Sequence, residues 1–84
     1  SRGLGDVYKR QYYIKAVDIA KSIVQKTELE DDYVDYAITL YNLGLLDEKD
    51  SLRKAYSVWE YLSEKHPDKA MYKEECEMIR GMLN

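Results

Sequence analysis

Few residues in this chain could do chemistry, and none stands next to the partner that catalysis would need. The single histidine, His66, precedes Pro67 at the end of a predicted helix. A general base needs a nucleophile or substrate within hydrogen-bond reach, and the sequence supplies neither. The single cysteine, Cys76, cannot form an internal disulfide or build a metal site alone. We therefore expect a non-catalytic protein without a cofactor, in which Cys76 is a small buried apolar residue.

Acidic residues are more numerous, but their spacing does not suit a metal. The run Asp47–Asp50 lacks the alternating ligands, the central glycine and the distal glutamate of a calcium loop. Glu74, Glu75 and Glu77 have the spacing of the solvated side of a helix. We interpret both groups as solvated charge and expect no metal.

Net charge and hydropathy narrow the classes of partner. The 84 residues carry a net charge of −3 without a basic stripe, which argues against nucleic-acid binding. The most apolar stretch, Tyr36 to Leu46, is about half of the roughly 20 residues that span a bilayer. We expect no membrane partner and a cytoplasmic location.

The first eleven residues, Ser1 to Gln11, have no initiator methionine and no apolar period. They resemble a translated sequencing-adapter string from the ends of reading frames assembled from environmental DNA. We interpret residues 1–11 as a non-native leader and residues 12–84 as a helical domain. On this interpretation the natural protein continues upstream, and the domain is a fragment of a longer array.

Apolar residues that recur every three or four positions predict four amphipathic helices and no strand. The first helix is expected from about Tyr12 to Lys26. The four stripes, in chain order, are Tyr13, Ala16, Val17, Ala20, Ile23 and Val24; Tyr33, Ala37, Leu40, Tyr41 and Gly44; Leu52, Ala55, Tyr56, Trp59 and Leu62; and Tyr72, Cys76, Ile79 and Leu83. Short connections predict antiparallel neighbours, in stacked helical hairpins or in a four-helix bundle.

Several residues also predict where these helices begin and end. Acidic residues mark the start of the second helix, and a Thr27–Glu30 capping box would place that start one turn earlier. Asp50 or Ser51 is the expected N-cap of the third helix. Pro67 ends that helix, because the residue before a proline is driven out of helical geometry.

Particular residue types at particular offsets resemble the tetratricopeptide repeat, a family of paired helices. The resemblance spans about Glu30 to Pro67, and the flanking helices match it more weakly. The matching residues are Tyr33, Tyr36, Ala37, Leu40 and Gly44 in one helix, and Ala55, Trp59, Leu62 and Pro67 in the next. The chain departs from the family by about six extra residues between Gly44 and Ala55, which predicts longer helices or a longer turn.

The resemblance implies a protein–protein interaction module, because in this family the first helix of each repeat lines a groove for a peptide or helix. Carried over by offset from Tyr33, the groove positions are Asp31, Val34, Ile38, Tyr41 and Asn42. Nearby acidic residues favour a basic partner. The family's carboxylate clamp uses Lys, Arg and Asn at such positions, and only Asn42 suits it. Capture of a C-terminal carboxylate is therefore not implied.

Two other functions are compatible with the sequence. One is a dimerisation or spacer bundle within a larger regulator, and the other is a helical appendage of an enzyme domain. The first helix would also have lost the helix that precedes it in an array. We therefore expect part of its Tyr13, Val17 and Val24 face to be exposed, which would promote self-association through this helix.

Overall fold

A computed structural model describes residues 2–46 and 48–84, with side chains from Gly5 onward. In this part of the chain there is no strand, and four α-helices follow one another: α1 (Arg2–Thr27), α2 (Glu30–Gly44), α3 (Lys49–Lys65) and α4 (Ala70–Leu83). The predicted all-α class with four helices is confirmed. Ser1 and Asp47 lie outside the described residues, so the predicted acidic turn at 47–50 is seen only from Glu48.

Helix α1 is longer than the predicted helix, because it continues through the leader instead of beginning near Tyr12. The Arg10 guanidinium pairs with the carboxylate of Glu48, and Val7 lines a cleft together with Leu45 and Leu46. Once a helix is nucleated, each added residue gains a backbone hydrogen bond, so an apolar period is not required for its extension. The start of the first helix predicted near Tyr12 is therefore wrong.

The predicted helix caps are also wrong. Thr27 ends α1, and its hydroxyl donates to Asp32 Oδ2 at 2.6 Å instead of forming a capping box with Glu30. Helix α3 begins at Lys49, before the expected N-cap, and Asp50 pairs with Arg53 at 2.7 Å. Thr27 and Asp50 could each cap a helix, but their side chains bind Asp32 and Arg53 instead. The predicted end before Pro67 is confirmed, because α3 ends at Lys65.

Helices α2 and α3 approach each other through small residues. Ala37 and Ala55 are fully buried in the core, and Gly44 lies against Leu52 at the end of α2. A Cβ atom on Gly44 would lie 2.5 Å from Leu52 Cγ and 3.1 Å from its backbone nitrogen. The two helices can therefore approach this closely only because residue 44 has no side chain.

The core of the domain is formed by α2, α3 and α4. Trp59 occupies it between α3 and α4, with its ring 5.8 Å from that of Tyr72, and its indole Nε1 has no hydrogen-bond partner among the described residues. The buried cluster consists of Ala37, Leu40, Leu52, Ala55, Trp59, Leu62, Tyr72, Cys76 and Ile79. The predicted burial of Cys76 is confirmed.

Close backbone packing joins α1 to α2, α2 to α3 and α3 to α4, and among the described residues no other pair of helices is joined in this way. A closed four-helix bundle would also bring α1 against α4. The described chain measures 46 × 32 × 16 Å, as expected for helices laid side by side in an open stack. Each helix in such a stack keeps at least one free face.

The stripe of α1 that was expected to be partly exposed is covered at one end. Val24 is 3% exposed, whereas Tyr13 and Val17 are half-buried and so keep part of their surface in solvent. Helix α2 packs against α1, and Val17 contacts the buried cluster. The exposed apolar residues of α1 lie on a different face of the helix.

We expect Gly44→Ala to lower the free energy of unfolding by about 1–3 kcal/mol, because the added methyl group would overlap Leu52 and the adjoining backbone. Gly81→Ala is a matched control in α4, where a Cβ atom meets nothing within 4 Å. That change should stabilise the protein by up to about 1 kcal/mol through helix propensity. Urea unfolding of both variants measures the difference. Equal effects would contradict the close approach at Gly44.

We expect Trp59→Ala to cost about 3–5 kcal/mol, because it would leave a large cavity in a small core. Trp59→Phe keeps most of the ring and removes the unpaired buried N–H, so its cost should be clearly smaller. Thermal melts followed by circular dichroism distinguish the two variants. A normal cooperative melt for Trp59→Ala would contradict the core position of this residue.

Candidate functional site

The candidate groove residues lie on the outward face of α2. Asp31 and Ile38 are exposed, whereas Val34, Tyr41 and Asn42 are half-buried. Intervals of three and four residues place them along one side of a helix, roughly opposite the buried Leu40. The structure thus gathers all five residues on one surface, which we call the α2 face.

Packing on the other sides of α2 determines which residues form this face. Buried Ala37 and Leu40 direct one side of the helix into the core, and α1 covers another. Val34 and Tyr41 contact the buried cluster at the border of the face, which explains their partial burial. Ile38 has no such contact with the cluster and remains 44% exposed. Packing on the other sides of α2 thus leaves Ile38 at the centre of the α2 face in contact with solvent.

The structure adds apolar residues that the sequence argument missed. Leu45 follows α2 directly, continues the α2 face by spacing and is 52% exposed. Three exposed methionines on α4, which we call the Met edge, share a face at intervals of seven and four residues: Met71, Met78 and Met82. Their helical spacing was visible in the sequence. The tetratricopeptide groove positions, however, are counted from Tyr33 and all lie on α2, so they do not include these methionines.

Contacts at the other side of α4 orient the Met edge. Arg80 lies about half a turn of helix away from Met78, and its guanidinium donates to the Tyr56 hydroxyl of α3 at 2.5 Å. The Met edge is therefore turned away from Tyr56 and from the outer side of α3. Glu75 lies on the same side as the methionines, at a spacing of four and three residues from Met71 and Met78.

A polar cluster links the start of α2 to the start of α4. One oxygen of Glu30, Oε2, accepts hydrogen bonds from Lys69 Nζ and from the Tyr72 hydroxyl, each at 2.5 Å. His66 Nε2 lies 3.7 Å from the other oxygen. These partners are 36 to 42 residues apart along the chain, so sequence spacing could not predict the cluster.

The cluster changes the acidity of its members. Hydrogen bonds from Lys69 and Tyr72 hold the pKa of the Glu30 carboxyl below its ordinary value. The same hydrogen bond to Glu30 raises the pKa of the Tyr72 phenol, because the bond requires the proton to stay on the phenol oxygen. The carboxylate is 25% exposed, and it ties α4 to α2 beside the α2 face.

Cys76 and His66, the two remaining residues with reactive side chains, both pack against other helices or aromatic rings. The Cys76 thiol is buried, its Sγ lies 3.9 Å from the Tyr56 carbonyl oxygen, and burial raises its pKa. A raised pKa disfavours the reactive thiolate. The His66 ring packs edge-on against Tyr72, with ring centres 6.2 Å apart, and faces Glu30. Burial of Cys76 and the packing of His66 against Tyr72 give both residues a place in the contacts between helices.

The cleft between α3 and α4 has fewer features of a binding site than the α2 face. A cleft of about 540 Å³ between α3 and α4 is lined by interleaved charges of both signs, among them Glu60, Glu64, Lys73 and Arg80. Within residues 2–46 and 48–84, no three His, Cys, Asp or Glu side chains gather as a metal site would require. No described helix combines the length and the apolar character of a membrane span.

Comparison with protein-family models, with curated proteins and with solved structures found no match to this chain.

The depressed pKa of Glu30 predicts how stability depends on pH. Ionised Glu30 stabilises the folded chain above its unfolded pKa, which is about 4.3. This contribution is lost as the pH falls through the lower folded pKa. We therefore expect Glu30→Gln to destabilise the protein at pH 7 and to reduce the loss of stability on acidification. Urea unfolding at pH 7 and below pH 4 measures both effects. Glu64→Gln, which removes an exposed carboxylate on α3 that has no hydrogen bond to Lys69 or Tyr72, is the matched control.

Proposed function

We propose that this chain is a non-catalytic, tetratricopeptide-like module that binds an amphipathic helix of another protein. The binding surface consists of the α2 face, extended by Leu45, together with the Met edge of α4. The observation that carries this proposal is the exposure of large apolar residues on two helices that the core holds in fixed positions. An exposed apolar surface with a polar border is a common feature of protein interaction sites.

Packing in the hairpin supports the resemblance to the tetratricopeptide repeat. The small residues that match the family signature, Ala37 and Ala55, are fully buried between helices, and Trp59 fills the space beside them. The extra residues between Gly44 and Ala55 are divided between the turn and the first turns of α3. The part of the signature that departs from the family therefore does not disturb the contact between the paired helices.

The chemistry of the surface suggests the partner. Methionine side chains are flexible and polarisable, so they adapt to apolar residues of different shapes. Asp31 on the α2 face and Glu75 on the Met edge supply negative charge around the apolar centre. Such a surface fits a helix with apolar anchors on one side and basic residues flanking them. The stretch from Asp31 to Leu45 is about 21 Å long, which corresponds to about 14 residues of a bound helix.

Synthetic helical peptides of this length test the proposal. Two peptides share the same apolar anchors, and one has a lysine-rich polar face and the other a glutamate-rich one. We expect the lysine peptide to bind more tightly in fluorescence anisotropy titrations. Ile38→Asp should weaken its binding at least tenfold, because the buried apolar contact is worth about 1.5–3 kcal/mol.

Ile19→Asp is the matched control for Ile38→Asp. It makes the same substitution at an exposed isoleucine, but on α1, outside the proposed surface. Its peptide affinity should equal that of the unchanged protein. Equal weakening by both substitutions, or no binding of the lysine peptide at about 1 mM, would overturn the proposed function.

A further inference from the structure

Helix α1 carries a second apolar stripe that α2 does not cover. Four large side chains recur on it at intervals of four, seven and four residues and are 44–68% exposed: Tyr8, Tyr12, Ile19 and Ile23. A helix at the edge of a domain ordinarily has one apolar stripe toward the core and a polar face opposite. In α1 the stripe toward the core runs through Val24, so the second stripe has no partner among the described residues.

The second stripe borders a groove between α1 and α2. The groove is lined by Ala16, Ile19, Ala20 and Ile23 of α1 and by Asp32 and Asp35 of α2. Short alanine side chains let another helix approach closely, because the distance between helix axes depends on the side chains at the contact.

The two sides of the second stripe differ in charge. On the α2 side lie the aspartates of the groove, Asp32 and Asp35. On the other side helical geometry places Lys15 and Lys26, with Asp18 further round the helix. The stripe therefore has an acidic edge and a basic edge, and this asymmetry restricts how a second helix can pack on it.

We propose that a second copy of this chain occupies the groove, with the two α1 helices parallel and related by a twofold axis. Each α1 then lies in the groove of its partner, which is the self-complementary contact of a symmetric dimer. A twofold axis along the helices sets the basic edge of one copy against the acidic edge of the other. An antiparallel pair would set the acidic edges of the two copies against each other.

The register of the charges supports the parallel arrangement. In a parallel pair each residue lies at the level of its own counterpart. Asp32 accepts a hydrogen bond from Thr27 at 2.6 Å, so it lies near the level of Lys26 on the partner. Asp35 lines the same groove about 4.5 Å further along α2. Lys26 thus meets the acidic edge of the partner, and the apolar stripe beside it is covered.

Sedimentation of the full chain over a wide range of concentrations is the first test. We expect a dimer that dissociates on dilution, and we expect Ile19→Asp to make the chain monomeric with unchanged helix content. Ile38→Asp, the matched variant on α2, should remain dimeric. A chain that is monomeric at all concentrations, or a dimer that persists in Ile19→Asp, would overturn the proposal. Because the peptide assay uses the same two variants with the opposite expectation, failure of one proposal is distinguishable from failure of the other.

Disulfide formation tests the parallel direction. In a parallel pair the two Ile19 positions face each other within disulfide reach, so Ile19→Cys should form a linked dimer on mild oxidation. In an antiparallel pair centred on the stripe they would be about 10 Å apart along the axis. Lys21→Cys lies on another side of α1 and should stay unlinked. The native Cys76 is buried and remains in both variants. Linking of Lys21→Cys but not Ile19→Cys would show a different interface.

Charge reversal tests the register. Lys26→Glu and Asp32→Lys should each weaken the dimer several-fold, because each places like charges together across the interface. The double variant restores an opposite pair and should dimerise more tightly than either single variant. If the double variant is weaker than both single variants, Lys26 does not face Asp32 of the partner.

Discussion

The rest of the structure depends on the close approach of α2 and α3. That approach is possible because Ala37, Gly44 and Ala55 have little or no side chain where the two backbones meet. The large ring of Trp59 is buried in the same cluster as these small residues. Tyr72 then packs against Trp59 and brings α4 onto the hairpin. The order of the stack therefore follows from a few small residues and one large one.

An open stack differs from a closed bundle in what it leaves exposed. In a closed bundle the apolar stripe of every helix faces a common axis. A second apolar stripe on the same helix would then face solvent. Here, within the described part of the chain, each end helix has close backbone packing with one neighbour only, and apolar surface remains exposed on α1, α2 and α4. Exposure of apolar surface to water is unfavourable. Binding of a partner that covers this surface is therefore favoured by the hydrophobic effect.

The polar cluster around Glu30 positions α4 relative to α2. Glu30 holds Lys69 and Tyr72 where α2 and α4 begin, and this restricts the angle of α4 relative to α2. The tie lies near the surface, so ordering these side chains offsets part of its Coulomb energy. The hydrogen bonds to Glu30 also require a particular position of the start of α4, because each needs its donor within about 3 Å of the carboxylate.

The sequence by itself determined the helices and most of the core. The period of the apolar residues depends only on the geometry of a single helix, so the burial of Ala37, Ala55 and Trp59 and the end before Pro67 could be predicted locally. The residues of the α2 face come from the resemblance to the tetratricopeptide repeat, and the geometry of a single helix then places them along one side. Tertiary structure decided which stripe of α1 is covered, because that choice depends on where α2 packs. It also decided the Glu30 cluster, whose members are brought together only when α4 docks. Hydrogen bonds between residues about 40 positions apart have no local pattern, so they could be found only in the folded chain.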